Sequence, residues 1–361
     1  MSSSGVRAQI NFARREVESR LKGKVVKTVA RNLRKSVVTG MELERERSGA
    51  GGSEIVRIAV KIPRPDPGIP TFDPVPDLTG QYAREFQTLQ AAHTLAANRP
   101  RSLTAIQVPE ALFLLDQPHA LVMEFVTGNA LHDIMIGAYP PGLGLISDHL
   151  EEKASALADF LIAFGELRLS LPMISAADET KAADNVLRWL AEPAHQLQLP
   201  ADLAVVKSRL SMLAGNYRPA AASLRHGDLT GVNLMIDHAG GICLLDFEES
   251  TYGDPSVDIA RFLLSMWLCG VAHPPARPLA DRMASAFAAG WARHRQIDVS
   301  AVEFMLGLHI ARQTGFQIDA LLGLPADRVE AGRARIAACG QWLTGSSETS
   351  KWLERVLAAK R

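Results

Sequence analysis

The stretch Arg225–Ala260, RHGDLTGVNLMIDHAGGICLLDFEESTYGDPSVDIA, restricts the fold more than any other part of this chain. Two short apolar runs within it, Asn233–Ile236 and Ile242–Phe247, flank the turn His238–Gly241 and read as a hairpin. Asn233 begins the first run and Asp246 stands near the end of the second, so the hairpin sets them close together at one edge. Asp228, five residues before Asn233, falls on the preceding loop and faces the same space. A carboxylate and an amide oxygen converging there suit Mg²⁺, a hard cation that shares oxygen ligands with substrate phosphates. A second carboxylate left off the metal is free to orient a hydroxyl and accept its proton. Any one of these residues alone reads as a turn or cap residue. It is the set, in this order, that points to phosphoryl transfer.

The rest of the chain divides by period. Lys24–Ala30, Ser36–Leu43 and Ile55–Ile62 (IVRIAVKI) read as strands, the last with alternating Ile/Val and charged residues. Six prolines between Pro63 and Pro76 exclude a helix or central strand there and predict an exposed loop. A helical pattern follows at Tyr82–Ala97, then an apolar strand pair, Ala111–Leu115 and Ala120–Val126. Beyond it Leu150–Leu167, Asp184–Leu190, Leu279–Arg295, Val302–Leu322 and Asp327–Trp342 carry helical periodicity. The expected fold class is α+β: a small antiparallel β-rich lobe, residues 1–126, and a larger α-helical lobe, residues 127–361, with a cleft between them.

Composition narrows the function classes. Lys/Arg and Asp/Glu balance at 39 each over 361 residues, which leaves no global field for nucleic acid. The longest apolar stretch, Phe262–Ala272, is too short for the ~20 residues of a membrane span. Cys243, Cys269 and Cys339 form no CxxC pair, which argues against a disulfide framework and fits a cytoplasmic protein. The neutral total hides a basic start: residues 1–35 hold ten Lys/Arg against Glu16 and Glu18. Ile10, Ala13, Val17 and Leu21 fall there at helical spacing, the pattern of an amphipathic helix docked by its apolar stripe; a membrane-surface or targeting role is the alternative.

HGDLTGVN followed by LLDFEESTYGDPSVDIA resembles the aminoglycoside phosphotransferase and choline kinase group, small-molecule kinases with the protein-kinase-like bilobal fold. The resemblance implies ATP and Mg²⁺ as cofactors, a small-molecule hydroxyl as acceptor, Asp228 as catalytic base and Asn233 and Asp246 as magnesium ligands. On the same resemblance His226 and Asp258 hold the catalytic loop through hydrogen bonds. Lys61 on IVRIAVKI corresponds to a kinase phosphate-binding lysine, and Glu85, sharing a helical face with Leu89 and Ala92, is its best-placed partner. ALVMEFVTGNAL resembles a kinase hinge, with Met123 beside the adenine and the Glu124 carbonyl and Val126 amide bonded to it.

Position 227 is Gly where protein kinases carry the Arg of HRD, and only a few residues separate Asp246 from Asp254, leaving no room for an activation segment. Both departures favour a small acceptor over a peptide. The first sheet turn, near Arg31–Ser36, has no glycine, and Arg34 or Lys35 is placed to touch phosphate there; Gly49–Ser53 is read as the connection before the Lys61 strand. Asp178, Glu179 and Asp184 are the nearest approach to the carboxylate cluster a polycationic acceptor needs, and Trp267 and Trp291 to an aromatic cage. The alternative reading is a nucleotide-binding pseudokinase or scaffold without transfer activity. Nothing in the sequence fixes the oligomeric state.

Overall fold

The computed structural model describes residues 3–32, 36–46, 53–63, 78–99, 106–116, 119–137, 149–192, 195, 199, 201–237, 240–321, 326–345 and 347–358. Of the expected loop at Pro63–Pro76 only Pro63 is described, as the last residue of a strand; the rest of it, the turn bearing Arg34 and Lys35, and most of Gly49–Ser53 lie outside them. The fold is mixed α+β, with an antiparallel sheet in the N-terminal part and helices in the C-terminal part. It forms two compact units: Met1–Thr71, Val75–Asn98 and Gln107–Thr127 in the first, and Phe72–Pro74, Arg99–Ile106 and Gly128–Arg361 in the second.

In the first unit five strands form one antiparallel sheet: β1 (Lys24–Asn32), β2 (Ser36–Glu46), β3 (Ser53–Pro63), β5 (Ala111–Asp116) and β6 (His119–Glu124), in the order β1-β2-β3-β6-β5. A two-residue strand, β4 (Ile106–Gln107), precedes β5. Alternation does the sorting in β2, where Val37, Thr39, Met41 and Leu43 are buried and the residues between them are more exposed. The buried face meets α1 (Ser3–Leu21), whose Ala13 and Val17 are fully buried in one cluster with Met41, Leu43, Ile58 and Val60. Two polar contacts fix the docking: Arg14 donates to the Val25 carbonyl at 2.8 Å, and the Val25 N–H donates to Glu18 at 2.9 Å. The apolar stripe of the basic first helix is therefore occupied by its own sheet. Helix α2 (Leu78–Ala97) turns Tyr82 inward together with Glu85, Thr88, Leu89 and Ala92, the last four being the i, i+3, i+4, i+7 stripe of an amphipathic helix.

The second unit is helical around short strands. Its helices are α3 (Leu131–Met135), α4 (Leu150–Phe164), α5 (Ala176–Leu190), α6 (Leu203–Asn216), α7 (Ser256–Ala272), α8 (Arg277–Ala292), α9 (Val299–Leu321), α10 (Ala326–Leu343) and α11 (Ser347–Ala358). Its strands are β7 (Asn129–Ala130), β8 (Ser223–Arg225), β9 (Leu234–Ile236), β10 (Ile242–Leu244) and β11 (Thr251–Gly253). β9 and β10 pair antiparallel, β7 flanks β9, and β8 pairs with β11. Helix α7 is apolar nearly all round and correspondingly buried, with α8 and α9 packed against it. Among the described residues no helix is long and apolar enough to cross a membrane.

Helix α5 begins eight residues earlier than periodicity predicts, because Ser175 and Asp178 form a capping box. That cap takes Asp178 out of any acidic cluster, and Glu179 is buried against Arg225 with an Nη1–Oε1 distance of 2.6 Å. Trp267 and Trp291 are 4% and 3% exposed, so both are core residues and neither builds an aromatic cage.

Candidate active site

The candidate residues form two groups, one in each unit. In the first, β3 and α2 bring Lys61 and Glu85 together although 24 residues separate them. Lys61 Nζ lies 2.9 and 3.2 Å from the two oxygens of Glu85, and both side chains are almost wholly buried, at 5% and 2% exposure. A buried pair of this kind is stable only as a pair, because either partner alone is an uncompensated charge. β6 lies beside β3 with Lys61 opposite Leu121 and Ala59 opposite Met123. The strand ends at Glu124, whose N–H donates to the Glu110 carbonyl at 2.9 Å; the Phe125 N–H donates to Arg57. Met123 and Val126 are half-buried and Glu124 is exposed.

In the second unit the loop between β8 and β9 is shaped from beneath by α7. Asp258 accepts the backbone N–H of His226 and of Gly227, each at 2.8 Å. His226 is fixed at both ring nitrogens. Nε2 is 2.9 Å from the Leu245 carbonyl, and Nδ1 accepts the Asp228 N–H, a pattern that places the ring proton on Nε2. Gly227 has φ +87°, and a Cβ there would stand 2.3 Å from the Glu249 carbonyl oxygen. Glycine is thus required at this position for conformation and for space together. No arginine could replace it without moving the chain.

The hairpin register carries the next two residues. Leu234 pairs with Leu244, and the Leu245 N–H donates to the Asn233 carbonyl at 2.9 Å, which extends the ladder by one residue. Asn233 therefore stands beside Leu245, one residue from Asp246. Asp246 has φ +64°, a left-handed conformation that ends the strand and is tolerated by Asp better than by most residues. Asn233 Nδ2 donates to the Asp228 carbonyl and to Asp228 Oδ2, both at 2.9 Å, which orients its amide and leaves Oδ1 as the metal-competent atom. The carboxylates of Asp246 and Glu248 come within 4.8 Å of each other. This is an oxygen-only donor set of the kind Mg²⁺ selects.

Two candidates belong to no motif read from the sequence: Glu249 and Arg261. Arg261 on α7 donates through Nη1 to Asp228 Oδ1 at 2.5 Å and through Nη2 to Glu249 Oε2 at 2.9 Å. Its signal is position, three residues after Asp258 and so one helical turn along the same face. The surroundings pull on Asp228 in opposite directions. Burial raises its carboxyl above the usual range and Arg261 works against that, while the Glu249 and Asp246 charges push it further up. The net direction is upward. The side chain keeps 26% of its surface exposed, so a reacting hydroxyl has access to it.

Comparisons with known proteins bear on this arrangement. The model of the phosphotransferase enzyme family (APH) matches residues 47–297. A comparison with curated protein sequences returns no match. Among solved structures, the GDP complex of an aminoglycoside 2′-phosphotransferase-IIIa mutant superposes with a TM-score of 0.58 at 11% identity, covering 94% of this chain and 99% of the other. A thermostable mutant of aminoglycoside phosphotransferase APH(4)-Ia, in ternary complex with AMP-PNP and hygromycin B, gives 0.56 at 14% identity, covering 92% and 99%. At these identities the likeness is one of fold.

Proposed function

The chain belongs to the phosphotransferase enzyme family, whose model spans 47–297, and from that premise we propose that it moves the γ-phosphate of ATP to a hydroxyl of a small molecule in the cytoplasm. That it is a small-molecule phosphotransferase follows from the family; ATP as donor, the assignment of individual residues and the compartment are the proposal. The observation that carries it is the convergence of Asp228, Asn233 and Asp246 on the loop and hairpin held by α7.

In this reading Asp228 orients the acceptor hydroxyl and takes its proton. Asn233 Oδ1 and Asp246 would hold Mg²⁺, which when bound would supply positive charge to offset that of the donor phosphates. Lys61, kept in place by Glu85, contacts the donor phosphates. Met123 packs beside the adenine, and the Glu124 carbonyl and Val126 amide read its edge. There is little covalent work for the protein in such a transfer. Its contribution is positioning and fixed charge, which suits a site whose side chains are already hydrogen-bonded in place.

The solved aminoglycoside phosphotransferases are complexes with GDP, with AMP-PNP and hygromycin B, and with GDP and kanamycin. For this chain the acceptor class stays open to aminoglycosides, amino alcohols, sugars and homoserine-like alcohols. The test is Mg²⁺-dependent phosphate transfer from ATP to that panel, with GTP in parallel. Turnover with at least one acceptor is expected, with about 10³-fold or greater loss in Asp228→Asn and retained ATP–Mg²⁺ binding. Full turnover in Asp228→Asn would overturn the assignment of the base.

A further inference from the structure

Both oxygens of the Asp228 carboxylate have a donor, and the two donors come from different elements. Asn233 on the hairpin supplies Oδ2 at 2.9 Å and Arg261 on α7 supplies Oδ1 at 2.5 Å. Asn233 is tied at three further points, through its N–H to Thr230, its carbonyl to Leu245 and its amide to the Asp228 carbonyl. Arg261 is tied at its second arm, where Nη2 reaches Glu249 Oε2 at 2.9 Å. A guanidinium is a rigid planar fork, so a contact on each arm fixes the plane of the whole group. The same helix holds the loop backbone, since Asp258, three residues before Arg261, bonds the N–H groups of His226 and Gly227. One rigid element therefore sets both the path of the loop and the direction of its carboxylate.

We propose that Arg261 is a positioning residue that aims the Asp228 carboxylate at the acceptor hydroxyl, with Glu249 as the brace that holds the guanidinium plane. The inference rests on the reading of Asp228 as the base. It assigns roles to two side chains outside the set proposed above for the nucleotide and the metal. A lysine at 261 would keep the charge and lose the fork, whereas a glutamine would lose both.

The experiment compares Arg261→Gln, Arg261→Lys, Glu249→Gln, Asp228→Asn and the Asp228→Asn/Arg261→Gln double variant, all in the full-length chain. kcat and KM are measured with MgATP and the best acceptor of the panel above. MgATP hydrolysis without acceptor and the urea midpoint are followed in parallel. The expected result is a fall in kcat of about 10²-fold for Arg261→Gln, with KM for ATP within about threefold of the parent. Arg261→Lys recovers part of that loss, and Glu249→Gln falls between it and the parent. In the double variant the loss is no greater than in Asp228→Asn alone, because the two residues act as a unit.

An Arg261→Gln enzyme with parental kcat and only a lowered urea midpoint would make the contact purely structural and overturn the proposal. So would losses that add in the double variant. Should Arg261→Gln fail to fold, Arg261→Lys and Glu249→Gln decide: parental kcat in both overturns the proposal. Failure of the base reading itself shows separately, as undiminished turnover in Asp228→Asn.

Discussion

Replacing Gly227 by alanine adds one methyl group at a confined point of the loop between β8 and β9, next to the proposed base Asp228. The backbone there has φ +87°, and the added Cβ would lie 2.3 Å from the Glu249 oxygen, 2.9 Å from its carbonyl carbon and 3.1 Å from its Cβ. An ordinary C···O approach is about 3.3 Å, so the Glu249 carbonyl must retreat by about 1 Å. The left-handed conformation costs an alanine about 1–2 kcal/mol. Overpacking against a fixed backbone adds about 1–3 kcal/mol. The expected loss is about 2–5 kcal/mol, a large share of the 5–15 kcal/mol that ordinarily holds a protein folded. With a urea m-value of about 3 kcal/mol/M the midpoint falls by about 0.7–1.7 M. A matched control is at hand: a Cβ on Gly215, in helix α6, meets nothing within 4 Å. Gly215→Ala should therefore raise stability by about 0.5–1 kcal/mol. Turnover should fall in Gly227→Ala alone, because the displaced Glu249 is the residue that braces Arg261. A Gly227→Ala midpoint within about 0.2 M of the parent, with full activity, would refute the argument from backbone geometry.

Two further predictions concern buried charge. Glu85→Ala strands Lys61 in an interior where it is 5% exposed, and should cost about 3–5 kcal/mol in urea unfolding. The Lys61→Met/Glu85→Leu double variant should return most of that stability while remaining inactive, which separates the structural worth of the pair from the nucleotide role proposed for it. Asp258→Ala removes the acceptor for two backbone N–H groups and should cost about 3–5 kcal/mol, with loss of turnover and with exchange protection lost at the His226 and Gly227 amides.

The parts of this fold legible in the sequence are those where one face is wet. Alternation in Ile55–Ile62 and the apolar stripe of α2 mark their elements because solvent on one side imposes a period. Helix α7 has no such period. With water on no side, its residues from Phe262 to Ala272 read only as an apolar run, although the helix carries Asp258 and Arg261. Periodicity marks only the second half of helix α5, because its first turns hold Glu179, a carboxylate that reads as surface and is in fact buried on Arg225. In the site, the residues grouped within one stretch of sequence were legible. Arg261 was not, because its importance comes from a contact 33 residues away that only the packing of α7 reveals. Gly227 was visible as an identity, whereas its reason, the Glu249 carbonyl pressed against it, is tertiary.

The docking of α1 on the sheet has a practical consequence for the limits of the folding unit. The family match begins at residue 47, yet α1, β1 and β2 all precede it. A chain trimmed to the matched region would lose two of the five strands and bare β3 as a new sheet edge. Ile58, Val60 and Ile62, buried in the intact chain, would then lie on a face stripped of its helix, beside a row of unpaired backbone groups. Such a fragment should self-associate when expressed, however complete its catalytic residues. The first 46 residues are therefore an integral part of the sheet's folding unit, and a boundary or fusion point placed at position 47 would cut through it.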